Sequence, residues 1–167
     1  EANVLPSLAA LQERLGLSKA ELKKVVVLYP SVLRYSIHAN VLRPLAVLQE
    51  RLGLSEMELK KIVEKQPHVL SLLEAQILRS LPVLQERLGL SEMELKKIVG
   101  KQPGVLKLRE ANVLQSLAVL QERLGLSETE LKKVVLRQPS LLGLSMDTNV
   151  LPLLAALQER LELSEAE

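Results

Sequence analysis

VLQERLGLSEMELKKIV, residues 47–63, is repeated letter for letter at residues 83–99. Its core, LQERL, begins at Leu11, Leu48, Leu84, Leu120 and Leu157, so successive copies are separated by 37, 36, 36 and 37 residues. A period of that size is the mark of a solenoid, in which each unit buries its apolar face only against its neighbours. The chain divides into a partial repeat at 1–17, full repeats at 18–54, 55–90, 91–126 and 127–163, and the start of another at 164–167. Residues 1–167 therefore read as a single array. Both ends fall inside the repeat, which suggests a piece of a longer protein.

The unit that opens at Ser55 shows how one copy folds. Ser55 and Glu58 form a capping box: the hydroxyl accepts from an orphan N–H, and the carboxylate three residues on reaches back to the cap. The same pair stands at Ser18/Glu21, Ser91/Glu94, Ser127/Glu130 and Ser164/Glu167. Leu59, Ile62 and Val63 then share one helix face. Pro67 lacks the N–H that a helix interior needs and biases its predecessor away from αR, so the first helix ends near Gln66. Pro30, Pro103 and Pro139 repeat that stop. A short apolar pair follows (Val32-Leu33, Val69-Leu70, Val105-Leu106, Leu141-Leu142), which reads as one 3₁₀ turn plugged into the core. A second helix runs from about Glu74 to Leu88 with Ile77, Leu81, Leu84 and Leu88 in one stripe.

Gly89 can adopt the left-handed C′ conformation without a Cβ penalty, so Leu-Gly-Leu-Ser is a tight corner between helices. Two departures from the pattern carry expectations. Repeats 18–54 and 127–163 hold one extra residue between the proline and the second helix, read as slack in that loop. The last corner has Glu162 where the others have glycine, which disfavours αL and predicts fraying there. Pro82, inside a second helix, predicts a bend. The expected core is Leu22, Val25, Val26, Leu45, Leu48, Leu59, Ile62, Val63, Leu81, Leu84, Leu95, Ile98, Val99, Leu117, Leu120, Leu131, Val134 and Val135. The fold class is all-α: a helical-repeat solenoid of two α-helices and a 3₁₀ turn per unit.

Composition narrows the function. There is no cysteine, so disulfide and thiolate chemistry are excluded. The longest apolar runs are a few residues, far below a bilayer span, and no targeting segment is visible. No Ser/His/Asp arrangement, phosphate loop or single carboxylate pair stands out, so the chain reads as a non-enzyme without cofactor or small-molecule substrate. His38 and His68 are solitary, without a second ligand at zinc spacing. The net charge is +2, too balanced to specify a partner. It is uneven, however: residues 18–54 hold six cations and two anions, so an anionic partner should favour the N-terminal half.

These offsets resemble the mitochondrial transcription termination factor (mTERF) family. The family pattern is Leu-Gly-Leu-Ser, two variable positions, Glu-Leu, a basic residue, a Val/Ile pair, a proline, an apolar pair and a leucine-rich helix. It is matched by Leu15-Gly16-Leu17-Ser18, Glu21-Leu22-Lys23-Lys24-Val25-Val26, Pro30 and Val32-Leu33, and again from Leu52, Leu88 and Leu124. The resemblance implies a curved superhelix, location in the mitochondrion or chloroplast, and double-stranded DNA or RNA held along a cationic groove for transcription or RNA metabolism. Near-identical repeats and the absence of Phe and Trp set this chain apart from natural members.

A cationic stripe on the first helices is the candidate interface. With Leu59, Ile62 and Val63 inward, Lys61 lies opposite and Lys65 one turn on. Lys97 with Lys101 and Lys133 with Arg137 repeat the pair, while Lys24 is followed by Leu28. Stacked units would align these cations against successive phosphates, which positions a protein without reading sequence. Arg34 and Lys107 add charge at the plugs, and Arg43, Arg79 and Arg109 near the second helices. A plainer explanation stands beside this one. Glu56/Lys60, Glu92/Lys96 and Glu128/Lys132 sit at i, i+4, and Glu58, Glu94 and Glu130 lie three residues before Lys61, Lys97 and Lys133. Those spacings suit a solvated helix face laced with ion pairs. The rival function is a protein-binding scaffold or a consensus-style engineered array, motivated by the perfect 17-residue duplication.

Overall fold

The structure, a computed structural model, describes residues 4–161. Its α-helices are α1 (Val4–Leu15), α2 (Lys19–Leu28), α3 (Arg43–Leu52), α4 (Glu56–Lys65), α5 (Glu74–Leu88), α6 (Glu92–Lys101), α7 (Glu110–Leu124), α8 (Glu128–Arg137) and α9 (Leu151–Leu161). The 3₁₀ plugs are Pro30–Arg34, Pro67–Ser71, Pro103–Lys107 and Pro139–Gly143, and no strand occurs among the described residues. This is the all-α repeat stack that the period implies.

Local chemistry sets every boundary. Ser18, Ser55, Ser91 and Ser127 each accept from the backbone N–H three residues on, and Glu21, Glu58, Glu94 and Glu130 return the bond to the cap N–H at 2.6–2.9 Å. Gly16, Gly53, Gly89 and Gly125 take φ of 55–59°. Past each glycine, a leucine N–H closes a six-residue ring: Leu54 to Gln49 O at 2.9 Å, Leu90 to Gln85 O at 3.0 Å. That is the Schellman closure, and it satisfies carbonyls the helix leaves open. The corner containing Glu162 and the box Ser164/Glu167 lie outside the described residues.

The core is the continuous leucine, isoleucine and valine seam between units. Leu11, Leu48 and Leu84 are essentially inaccessible, as are Val25, Leu59, Val63, Ile98, Val99 and Val135. Leu22, Val26 and Val134 are only half-buried, because they sit at the edge of the inward face rather than its centre. α5 continues through Pro82, which is exposed, so the missing N–H faces away from the packed seam. Buried Ser80 and Ser116 each donate to the plug of the next repeat, at Leu106 O (2.9 Å) and Leu142 O (3.4 Å). These bonds give a carbonyl in an apolar setting the partner it would otherwise lack.

The extra residue of the two longer repeats is not loop slack. Two residues link plug to second helix in every case, Tyr35-Ser36 as much as Leu72-Leu73. The insertion is absorbed as π-helical turns at Ile37–Leu42 and Met146–Val150 that run into α3 and α9. The widened turn brings Ile37 and Met146 into the core at 2% and 4% exposure. Leu73, the residue 36 positions after Ile37, is 55% exposed. Burial of one more apolar side chain offsets the poorer geometry of the π turn.

Three layers result. First helices pack on one another as α2 on α4 and α6 on α8, plugs stack in a row, and second helices line the other side, α3 on α5. α4 and α6 approach each other less closely than either neighbouring pair. That opening frames the site.

Candidate nucleic-acid interface

The opening between α4 and α6 is a groove of about 640 Å³ lined by Leu54, Glu58, Lys61, Ile62, Lys65, Met93, Lys96, Lys97 and Gly100. Three of the expected cations, Lys61, Lys65 and Lys97, therefore come together on its walls. All three are exposed, and no carboxylate of the described residues lies within 4.0 Å of their ammonium groups. Gly100 helps to open the floor: the equivalent positions hold Val27, Glu64 and Leu136. A Cβ there would meet only Ile62 Cγ1, at 3.9 Å.

The remaining expected cations are placed differently. Lys101 Nζ donates to Leu136 O (3.0 Å) and Arg137 O (3.3 Å), capping the end of α8 instead of facing the groove. That contact suits the negative end of a helix dipole. Lys107 donates to Ser71 Oγ along the plug row. Arg34 is exposed beside Tyr35, whose phenol is pushed above its ordinary value by its hydrogen bond with Tyr29. Lys24, Lys133 and Arg137 are exposed on the outer first helices, away from the groove walls.

The lysine that precedes each stripe residue has another task, one the i, i+4 spacing did not suggest. Lys60, Lys96 and Lys132 do not pair with the glutamate four residues back. They reach back to the corner from which the preceding repeat opens and donate to the carbonyls of Gly16 (3.0 Å), Gly53 (2.7 Å) and Gly89 (2.8 Å). Lys60 also meets Glu21 at 3.0 Å and Lys132 meets Glu94 at 2.8 Å. Glu56 pairs instead with Arg14, which also donates to Gln49, so the arginine of the second helix is an inter-repeat tie. The period itself was the available signal: units stacked 36 residues apart bring each first helix beside the previous corner.

These ties fix the capping carboxylates electrostatically. Glu94 is lowered from 4.5 to about 2, chiefly by Lys132 and then by the Ser91 N–H. Glu21 is likewise lowered to about 2, by the Ser18 N–H and then Lys60. Glu58 and Glu130 are lowered by their own serine caps. The negative charge near the stripe is thus committed to helix starts, while Lys61, Lys65 and Lys97 keep theirs for solvent or a ligand.

A second feature missed in the sequence is a small aromatic cluster. Tyr29 and Tyr35 lie 6.4 Å apart with their hydroxyls 3.0 Å apart, and His68 sets its ring edge-on to Tyr29 at 5.0 Å. It ties the first plug to the second. Among the described residues no group of three His, Cys, Asp or Glu side chains could hold a metal, and no helix is long and apolar enough to cross a membrane.

Lys61, Lys65 and Lys97 thus line one groove between stacked helix pairs. The family model described as mTERF matches residues 45–165. No curated protein matches the chain closely enough to count as a relative. The matched segment contains the three groove lysines and three of the four full corners, and membership of this family supports nucleic-acid binding by a helical-repeat protein. With most of its length matched and the repeat geometry in place, the chain belongs to the mTERF family.

Proposed function

We propose that the chain is a non-enzymatic nucleic-acid-binding protein that holds double-stranded DNA or RNA by its phosphate backbone, in organellar transcription termination, transcription regulation or RNA metabolism. The observation that carries this reading is the convergence of Lys61, Lys65 and Lys97, unpaired, on one groove. Three cations free of carboxylate partners release counterions when phosphates replace solvent, and that release drives association. Lys24, Lys133, Arg137 and Arg34 extend the charge along the array, with Lys101 and Lys107 as additional members when the polyanion competes for their present bonds. Contacts of this type fix position and register and do not discriminate bases. Without Phe or Trp, stacking contributes little.

A mobility-shift titration with a duplex at low salt tests the proposal. Binding should weaken steeply as salt rises, with a log–log slope near −0.9 per phosphate contact. Changing Lys61, Lys65 and Lys97 to Gln should make that slope shallower by about three units while the melting temperature stays nearly constant. An unshifted duplex at tens of micromolar protein, or a slope indifferent to the triple change, would defeat it.

A further inference from the structure

The α4–α6 groove has a property that phosphate binding leaves unused: its floor is apolar. Leu54 and Ile62 reach the base with 7% and 8% of their surface, Gly100 puts no side chain over them, and Met93 stands at the lip with 81% of its surface exposed. Met57, at the matching position of the previous repeat, is 67% exposed. Lys61, Lys65 and Lys97 flank that floor. A phosphate backbone satisfies the lysines but gives the floor nothing to bury, whereas exposed methionines adapt readily to apolar side chains. Gly100 stands in the last turn of α6, where it leaves the groove without a side chain. The other three first helices hold a side chain there.

We infer that this groove docks an acidic amphipathic helix of a partner protein, with the partner's leucine-like side chains seated on Leu54, Ile62, Met93 and Gly100 and its carboxylates paired with Lys61, Lys65 and Lys97. The volume of about 640 Å³ accommodates several aliphatic side chains, and the opening along the groove suits a rod laid across two helices. Charge complementarity selects an acidic segment, and the lysines steer it in. This inference goes beyond the nucleic-acid reading and does not depend on it, though the two ligands share three lysines and should exclude each other.

The test uses the whole chain and a labelled synthetic helix of about sixteen residues, roughly four turns. It carries leucines at i, i+3, i+4 and i+7 and glutamates on both flanks. Fluorescence anisotropy should show binding, and a scrambled peptide of the same composition should bind at least about tenfold more weakly, because it cannot present one apolar face. Gly100→Leu fills the floor with a better helix former, so folding is not endangered. It should weaken the patterned peptide at least about tenfold. The same variant should alter duplex affinity less than about twofold, since phosphates do not use the floor. Equal binding of patterned and scrambled peptides would overturn the inference. So would a Gly100→Leu effect confined to the duplex, which would assign the floor to nucleic acid. Failure of the duplex titration alone would leave the peptide result standing.

Discussion

The two central repeats, 55–90 and 91–126, and the two outer ones, 18–54 and 127–163, are built from nearly the same sentence, yet they differ where function and stability meet. In the centre both plug residues are buried: Val69 with Leu70, and Val105 with Leu106. In the first outer repeat Val32 is buried while Leu33 is 40% exposed. Central second helices start as regular α-helix, and outer ones start with a π turn. Ser80 and Ser116 secure plug carbonyls, but the position 36 residues before Ser80 is Pro44, which has no donor to give. On the surface, Lys65 in the centre becomes Leu28 outside. The core tolerates such edits because each unit answers only to its neighbours, so identical helices can serve as scaffold in one place and as ligand surface in another.

The largest expected contrast is in the plugs. Leu106→Ala removes a fully buried side chain from a well-packed seam and should cost about 2–5 kcal/mol in urea unfolding. Leu33→Ala, its outer counterpart, should cost no more than about 0.5 kcal/mol. Comparable losses at both sites would mean that the first plug is as enclosed as the third and that the comparison is wrong.

The π turn gives the next effect. Deleting Ala39 should restore ordinary helix at the start of α3 and move Ile37 to the half-exposed helix-start position that Glu74 occupies in the next repeat. Losing that burial should cost up to about 1.5–3 kcal/mol, less whatever the regular helix returns. Helical content by circular dichroism should hold. A deletion that leaves the unfolding midpoint unmoved would show that Ile37 does not anchor the outer repeat.

Much of this architecture was legible in the sequence because its signals are local. Ser/Glu at i, i+3, glycine at the corner and proline twelve residues after the serine each act within a turn or two, and each behaves as its chemistry requires. The α4–α6 cations were legible too, as helix faces. What escaped is whatever depends on two repeats at once. The i, i+4 spacing of Glu56 and Lys60 suggests a pair, yet Lys60 turns away from Glu56 to the Gly16 carbonyl at the corner before the preceding repeat, to Glu21 within that repeat and, at 3.8 Å, to Glu64. A one-residue insertion reads as loop slack, and only the fold, with Ile37 buried, shows it to be a π turn. Gly100 carries no signal of its own in the sequence, and its neighbour across the gap, Ile62, is visible only in the fold.

Adjacent lysines sharpen the same contrast at smaller scale. Lys96→Ala breaks the bond to Gly53 O and should destabilise by about 0.5–1 kcal/mol, since the contact is solvent-screened. Lys97→Ala should stay within about 0.5 kcal/mol of the parent, yet weaken duplex binding. If the two exchange these signatures in melting and titration experiments, tie and contact have been assigned the wrong way round.

The smallest effect is a pH dependence, and it distinguishes the inter-repeat ties from ordinary helix caps. Glu21 and Glu94 are lowered from 4.5 to about 2 in the folded chain, so folding favours their ionised forms. Their contribution is complete above about pH 4.5 and disappears as pH falls toward 2, because protonation then removes the acceptor that both the serine cap and the lysine need. Melting temperature should therefore be level above that range and decline through it. Glu94→Gln should start from a lower plateau and decline less steeply, because one of the titrating groups is gone. Glu130, held by its own serine rather than by a cross-repeat lysine, should show the same trend more weakly when changed to Gln. An equal response from Glu130 and Glu94 would place the whole acid sensitivity in the caps and none in the Lys132 tie.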